Sequence, residues 1–153
     1  ALSPDKILSL YEARVAIESE ALRLAVERAA DQEILDLETF IAECEPAYLS
    51  SRSARELVDL DEEFHMRVAG LSGNPELIRI LTNINARLRY VRCIDMEDRR
   101  EGVPADHLRI LQMLKNRDEE GAVQALRKHI VKRSEEATAA VKTAYSQLYV
   151  PAF

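Results

Sequence analysis

The chain has 153 residues, 47% hydrophobic and 31% charged, with a formal net charge of −6. That length suits one domain with its own core, and the acidic balance excludes a surface built to grip nucleic-acid backbone, which needs a basic excess. No run approaches the about 18 apolar residues of a membrane span, and no signal peptide is visible; Ala1-Leu2-Ser3-Pro4 reads as a boundary where a longer chain was cut.

Four Gly and five Pro leave a composition that favours helix. Every periodic stretch repeats near 3.6 residues. Ser3 caps a first helix with Pro4 at its first position, running to about Ala30. Leu8, Tyr11, Val15, Leu22 and Ala25 share its inward face, and Glu18 interrupts that face. Asp31 opens a second helix to about Ser50, which Pro46 should kink or end early. Ser53-Ala54-Arg55-Glu56 reads as a capping box for a third helix ending near Ser72, with Gly73 as its stop. Asn74-Pro75 starts a fourth helix to about Arg100, whose charged end from Glu97 to Glu101 reads as solvated. Gly102-Val103-Pro104 reads as a loop, followed by a fifth helix from Ala105 to Asn116. Asp118 caps a last helix to about Tyr149. The expectation is an all-α bundle of six, or seven, helices in which sequence neighbours pack antiparallel. Cys44 and Cys93 have no CxxC spacing, which suits a reducing cytoplasm.

The third helix carries an inward stripe of Leu57, Leu60, Asp61, Phe64, His65, Val68 and Leu71. Asp61 and His65 lie one turn apart on that face. A carboxylate on an apolar face is costly unless paired, hydrogen-bonded or bound to a metal. The fifth helix places His107 with Ile110, Leu111 and Leu114. The sixth places His129 with Leu126, Ile130, Arg133 and Ala137. The three histidines of the chain thus fall on buried faces of three helices. Three imidazoles and a carboxylate suit a divalent transition metal if they converge; any one His alone is more often a hydrogen-bonded core residue.

These residues resemble the FadR-type C-terminal domain, FCD, of GntR-family transcription regulators. The resemblance runs from about Ile7 to Tyr145. It rests on Tyr11-Glu12-Ala13-Arg14 with Ile17-Glu18, on Asp61-Glu62-Glu63-Phe64-His65, and on Ser72-Gly73-Asn74-Pro75-Glu76-Leu77. Asp106-His107-Leu108-Arg109-Ile110-Leu111, and Asp118 through His129-Ile130, complete it. It implies a helical bundle around a central metal and ligand cavity, with residues 1–153 as one effector-binding domain. It also implies a homodimer, and a winged helix-turn-helix, absent from this chain, that binds operator DNA in the cytoplasm. The implied metal ligands are Asp61, His65, His107 and His129. The implied metal is zinc foremost, with nickel, manganese or iron as alternatives. The implied effector is a small carboxylate, such as an organic or sugar acid.

An anionic effector needs cationic donors beside the metal. Arg133 lies one turn beyond His129, and Arg14 matches the family's recurrent first-helix arginine. Asn85 and Arg92 flank the apolar face of the fourth helix. The plainer role for Arg14 is a pair with Glu18, and for Arg133 a pair with Glu136. Two rival readings stand beside the regulator. A metal-dependent enzyme would use the same site of three histidines and one aspartate, but no nucleophile or spare base shares its faces; Glu62 and Glu63 fall off the third-helix stripe. A structural dimerising bundle would use the histidines only as core hydrogen-bonders.

Overall fold

The computed structural model describes residues 2–50 and 52–148; Tyr149, the expected end of the last helix, lies outside them. Six α-helices follow in order: α1 (Pro4–Arg28), α2 (Asp31–Tyr48), α3 (Ala54–Gly70), α4 (Pro75–Arg99), α5 (Val103–Lys115) and α6 (Glu119–Leu148). A single 3-10 turn, Arg100–Gly102, joins α4 to α5.

Side chains set most helix starts. Ser3 accepts from the Lys6 N–H at 3.3 Å, with Pro4 directly after it. Ser53 accepts from the Glu56 N–H at 3.2 Å, while the Glu56 carboxylate accepts from the Ser53 N–H at 3.0 Å. Asn74 Oδ1 accepts from the N–H groups of Glu76 and Leu77. Asp118 Oδ1 accepts from the Gly121 N–H at 2.9 Å. A Cβ at Gly121 would crowd the Asp118 carboxylate and Met113 Sδ, so a larger residue there would require those side chains to shift. Gly73, at φ 65°, turns the chain between α3 and α4.

The helices differ from expectation in four respects, three at their ends and one on a face. The cap of α2 is Ala30, not Asp31: Ala has no capping oxygen, and Glu33 reaches back to the Ala30 N–H at 3.0 Å instead. The helix α2 continues through Pro46 and stops at Tyr48, short of the expected Ser50; the proline gives up one i→i−4 hydrogen bond, and the helix ends two residues later. Val103 and Pro104 belong to α5 rather than a loop, since Pro fits the first turn of a helix. On α1 the buried stripe includes Ile7, Leu10, Tyr11, Arg14 and Glu18, and Leu8 is turned out, 39% exposed.

Packing is less sequential than short connections suggest. α1 packs on α6, α4 and α3 rather than on α2, and α2 packs on α5 and α3. The main core joins Ile7, Tyr11 and Leu22 of α1 to Ile34 and Phe40 of α2, Phe64 and Val68 of α3, Leu88 of α4, Leu111 of α5 and Leu126 of α6. A smaller cluster around Leu57, Met96 and Val103 closes one end. Because α1, α3, α4, α5 and α6 all face this core, a polar residue on any inner stripe meets those of the others.

Candidate metal and effector site

Asp61 and His65 of α3, His107 of α5 and His129 of α6 meet in the core. Each offers one ligand atom, and these atoms lie within 4.8 Å of one another. The ring centres of His65, His107 and His129 form a near-equilateral triangle with sides of 5.3, 5.4 and 5.3 Å. That is close to the about 5 Å expected of imidazoles around one ion at bond lengths of about 2.1 Å. All four residues are buried, between 1% and 6% exposed.

The donor atoms have the character of a coordination shell. Asp61 Oδ1, His65 Nε2 and His107 Nε2 are buried without a hydrogen-bond partner among the described residues. Asp61 Oδ1 and His107 Nε2 approach to 2.9 Å, but outside hydrogen-bond geometry. Three orphaned polar atoms at one point cost several kcal/mol together, at about 1–3 kcal/mol each, unless something joins them. The other ring nitrogens are held. His65 Nδ1 lies 2.5 Å from Glu18 Oε1, and His129 Nδ1 lies 2.8 Å from Asp106 Oδ2. A carboxylate on one imidazole nitrogen fixes the ring and leaves the other nitrogen for a metal. The residues present therefore fit a divalent transition metal.

Charges around the cluster are balanced in pairs. Burial pushes the Asp61 carboxyl up, but Arg92 and His65 outweigh it and hold it well below the usual range. Burial likewise pushes Glu18 up, and Arg14 and His65 bring it down to about 2. His107 is driven by burial down to about 3, so its ring is neutral, as a ligand must be. Phe64 stacks on it with ring centres 3.8 Å apart.

The candidate effector contacts fall into two groups. Arg14 Nε donates to Glu18 at 2.5 Å, and Arg133 Nη1 lies 3.3 Å from Asp95 and 3.2 Å from Glu136. The plainer pairings thus exist, yet Nη2 of Arg14 and Nη2 of Arg133 remain buried without a hydrogen-bond partner among the described residues. Arg92 instead serves Asp61: its Nη2 donates to Asp61 Oδ2, and its Nη1 to Asn85 Oδ1 at 3.2 Å. Asn85 thus meets the cluster through Arg92. Glu62, off the α3 stripe, takes a further Arg92 N–H at 3.3 Å and one from Arg89 at 3.1 Å.

Two hollows border the cluster. The one touching His107, between Phe40, Tyr48, Leu60 and Phe64, holds about 10 Å³, the room of one water. On this side the expected central cavity is reduced to that small hollow, one wall of which is Phe64 stacked on His107. The other, of about 180 Å³, is polar and lined by Asp98, Glu101, Asp106, Lys132, Arg133 and Glu136. Sequence reading noted Glu18 as an interruption of the apolar face and a partner for Arg14, not as a support for His65, and missed Asp106 as a support. Glu18 was detectable as a carboxylate on a buried stripe; the partner of Asp106 lies 23 residues away, beyond any local pattern.

No helix among the described residues is long and apolar enough to cross a membrane. The chain is 36% identical over 148 residues to the Nta operon transcriptional regulator of Aminobacter aminovorans, covering 97% of this chain and 69% of that protein. It is 25% identical over 130 residues to the HTH-type transcriptional regulator YdhC of Bacillus subtilis, covering 84% of this chain and 58% of that protein. Among solved structures it resembles the metal-free FCD domain of TM0439, with a TM-score of 0.77 and 25% identity, over 94% of this chain and 99% of that one. The FCD domain family matches residues 9–132; with that span, these relatives and this bundle, the chain belongs to the FCD domain family of transcriptional regulators.

Proposed function

We propose that this domain senses a small carboxylate through a divalent metal held by Asp61, His65, His107 and His129, and so controls a DNA-binding segment of the same regulator. The observation that carries the reading is the set of orphaned donors Asp61 Oδ1, His65 Nε2 and His107 Nε2 turned to one point. When bound, the metal supplies a Lewis-acidic anchor for a carboxylate oxygen, with zinc the first choice and nickel, manganese or iron suited to the same donors. The chain's own residues do the rest. Glu18 and Asp106 orient two imidazoles. Arg92 holds Asp61. Arg14 and Arg133 each keep one buried N–H group free for an anion. The effector reaches the cluster from the polar hollow beside Asp106 and Arg133. Its contacts on α1 and α6 shift the regulator between two states, by the difference in its affinity for them. Dimerisation and operator binding in the intact protein belong to this reading.

Elemental analysis of the purified chain and of His65→Ala tests it. About one equivalent of metal in the wild type, lost in the variant, is expected. A thermal-shift screen of citrate and sugar acids on the loaded protein should then show stabilisation that Arg133→Ala weakens. No metal in either protein, even after soaking in zinc, reduces the histidines to core residues and sinks the reading.

A further inference from the structure

The polar hollow of about 180 Å³ beside the cluster has two unlike ends. Its inner end is cationic. Arg133, 9% exposed, lines it and keeps Nη2 without a hydrogen-bond partner among the described residues. Behind it, the four candidate metal ligands carry one negative charge, that of Asp61, which Arg92 already answers. A divalent ion there leaves positive charge in excess. The outer end is acidic. Around the hollow, Asp98, Glu101, Asp106 and Glu136 outnumber Lys132 and Arg133 two to one. Asp106 is engaged with His129, and Glu136 with Arg133. Asp98 and Glu101 are exposed and make no ion pair among the described residues. Lys132 Nζ stands over Gly102, 3.9 Å from where a side chain there would begin, and can answer one of the two.

A ligand that joins these ends must itself have unlike ends. Its carboxylate suits the metal and the free N–H group of Arg133. A second carboxylate at the mouth would stand against Asp98 and Glu101, and like charges set together repel. An ammonium in that place meets opposite charge and finds acceptors for its three N–H donors. A polyol could donate to the same carboxylates, but without the charge that strengthens such bonds. An ammonium on the α-carbon would lie beside its own carboxylate and face the metal, not the mouth. Taking the metal-anchored carboxylate proposed above as its basis, we infer that the effector is an ω-amino acid. Its carboxylate lies inward, and its ammonium is held by Asp98 and Glu101 at the mouth of the hollow.

Calorimetric titration of the zinc-loaded chain with isosteric ligands tests this. Each ω-amino acid is matched with acids in which a methyl or a carboxylate replaces the ammonium. The sets are β-alanine with butyrate and succinate, γ-aminobutyrate with pentanoate and glutarate, and δ-aminovalerate with hexanoate and adipate. At the best-fitting length the amino acid should bind about tenfold or more tightly than either match, and more tightly than gluconate. That preference should shrink as salt is raised, because Asp98 and Glu101 are exposed. Asp98→Asn with Glu101→Gln should reduce it to within about threefold. Asp98→Lys with Glu101→Lys should transfer it to the dicarboxylate. The zinc-induced thermal shift of both double variants should match the wild type, which shows fold and metal cluster intact. Equal affinity within every set, tighter binding of a dicarboxylate or of gluconate, or a preference that survives both double variants would overturn the amino-acid assignment and leave the metal-anchored carboxylate standing. A chain that takes up no zinc, or a zinc-loaded chain that binds no carboxylate at all, overturns that earlier reading and this one with it.

Discussion

Glu18 and Asp106 act on the cluster through histidine rings rather than by binding a metal, and their removal should show that difference. Glu18→Gln and Asp106→Asn are each expected to lower zinc affinity about 10–100-fold while keeping wild-type helicity. Competition with a chromophoric chelator reads this; unchanged affinity in both variants would refute the supporting role. The cysteines behave otherwise. Burial, with the Glu63 carboxylate nearby, pushes the Cys44 thiol up. Only the thiolate is alkylated, so iodoacetamide labelling of Cys44 should be slower at about pH 8 than that of a free thiol and should rise with pH beyond its ordinary titration range. Peptide mapping that finds Cys44 labelled as fast as glutathione under those conditions would contradict this. At this scale the four metal-site candidates were readable because each sits on a face otherwise apolar. The supports of those residues, Glu18, Asp106 and Arg92, come from other helices and were not assigned from periodicity.

Helices were legible where a side chain announces them. Ser3-Pro4, Ser53 with Glu56, Asn74-Pro75 and Asp118 all cap as their chemistry demands. The misses fall where the backbone or a neighbour decides: Ala30 as a cap and Val103 inside α5. Gly73 gives a clean test. A Cβ there meets nothing within 4 Å, so any cost of Gly73→Ala comes from its positive φ alone. The substitution should destabilise by about 1–2 kcal/mol in urea unfolding; no loss would mean that the turn readily takes another conformation. Leu88→Ala on α4, where Leu88 is 0% exposed, should cost about 2–5 kcal/mol by the same measurement.

Across the whole molecule, the cluster of Asp61, His65, His107 and His129 joins α3, α5 and α6, with Glu18 of α1, Arg92 of α4 and Asp106 of α5 as its supports. Ligation should therefore raise global stability. With free zinc at about 100 times its Kd, the gain is expected to be about 2.7 kcal/mol, read as a higher Tm that a chelator abolishes. The His65→Ala protein should show no difference between its zinc-loaded and chelated states. An equal zinc shift in that variant would place the binding elsewhere.

Helix content, helix order and inward faces were determined by the sequence itself, because caps and a 3.6-residue period are local properties. The candidate metal ligands were determined to the same extent, as polar residues on apolar stripes. Their convergence was not, since it depends on how α3, α5 and α6 are set around one core. Tertiary structure alone decided that His65 meets Glu18, that His129 meets Asp106, and that Arg92 serves Asp61. The physical reason is range: a helix face is written in four or five consecutive residues, whereas a buried ion pair joins residues 23 to 47 positions apart, which only packing brings within bonding distance.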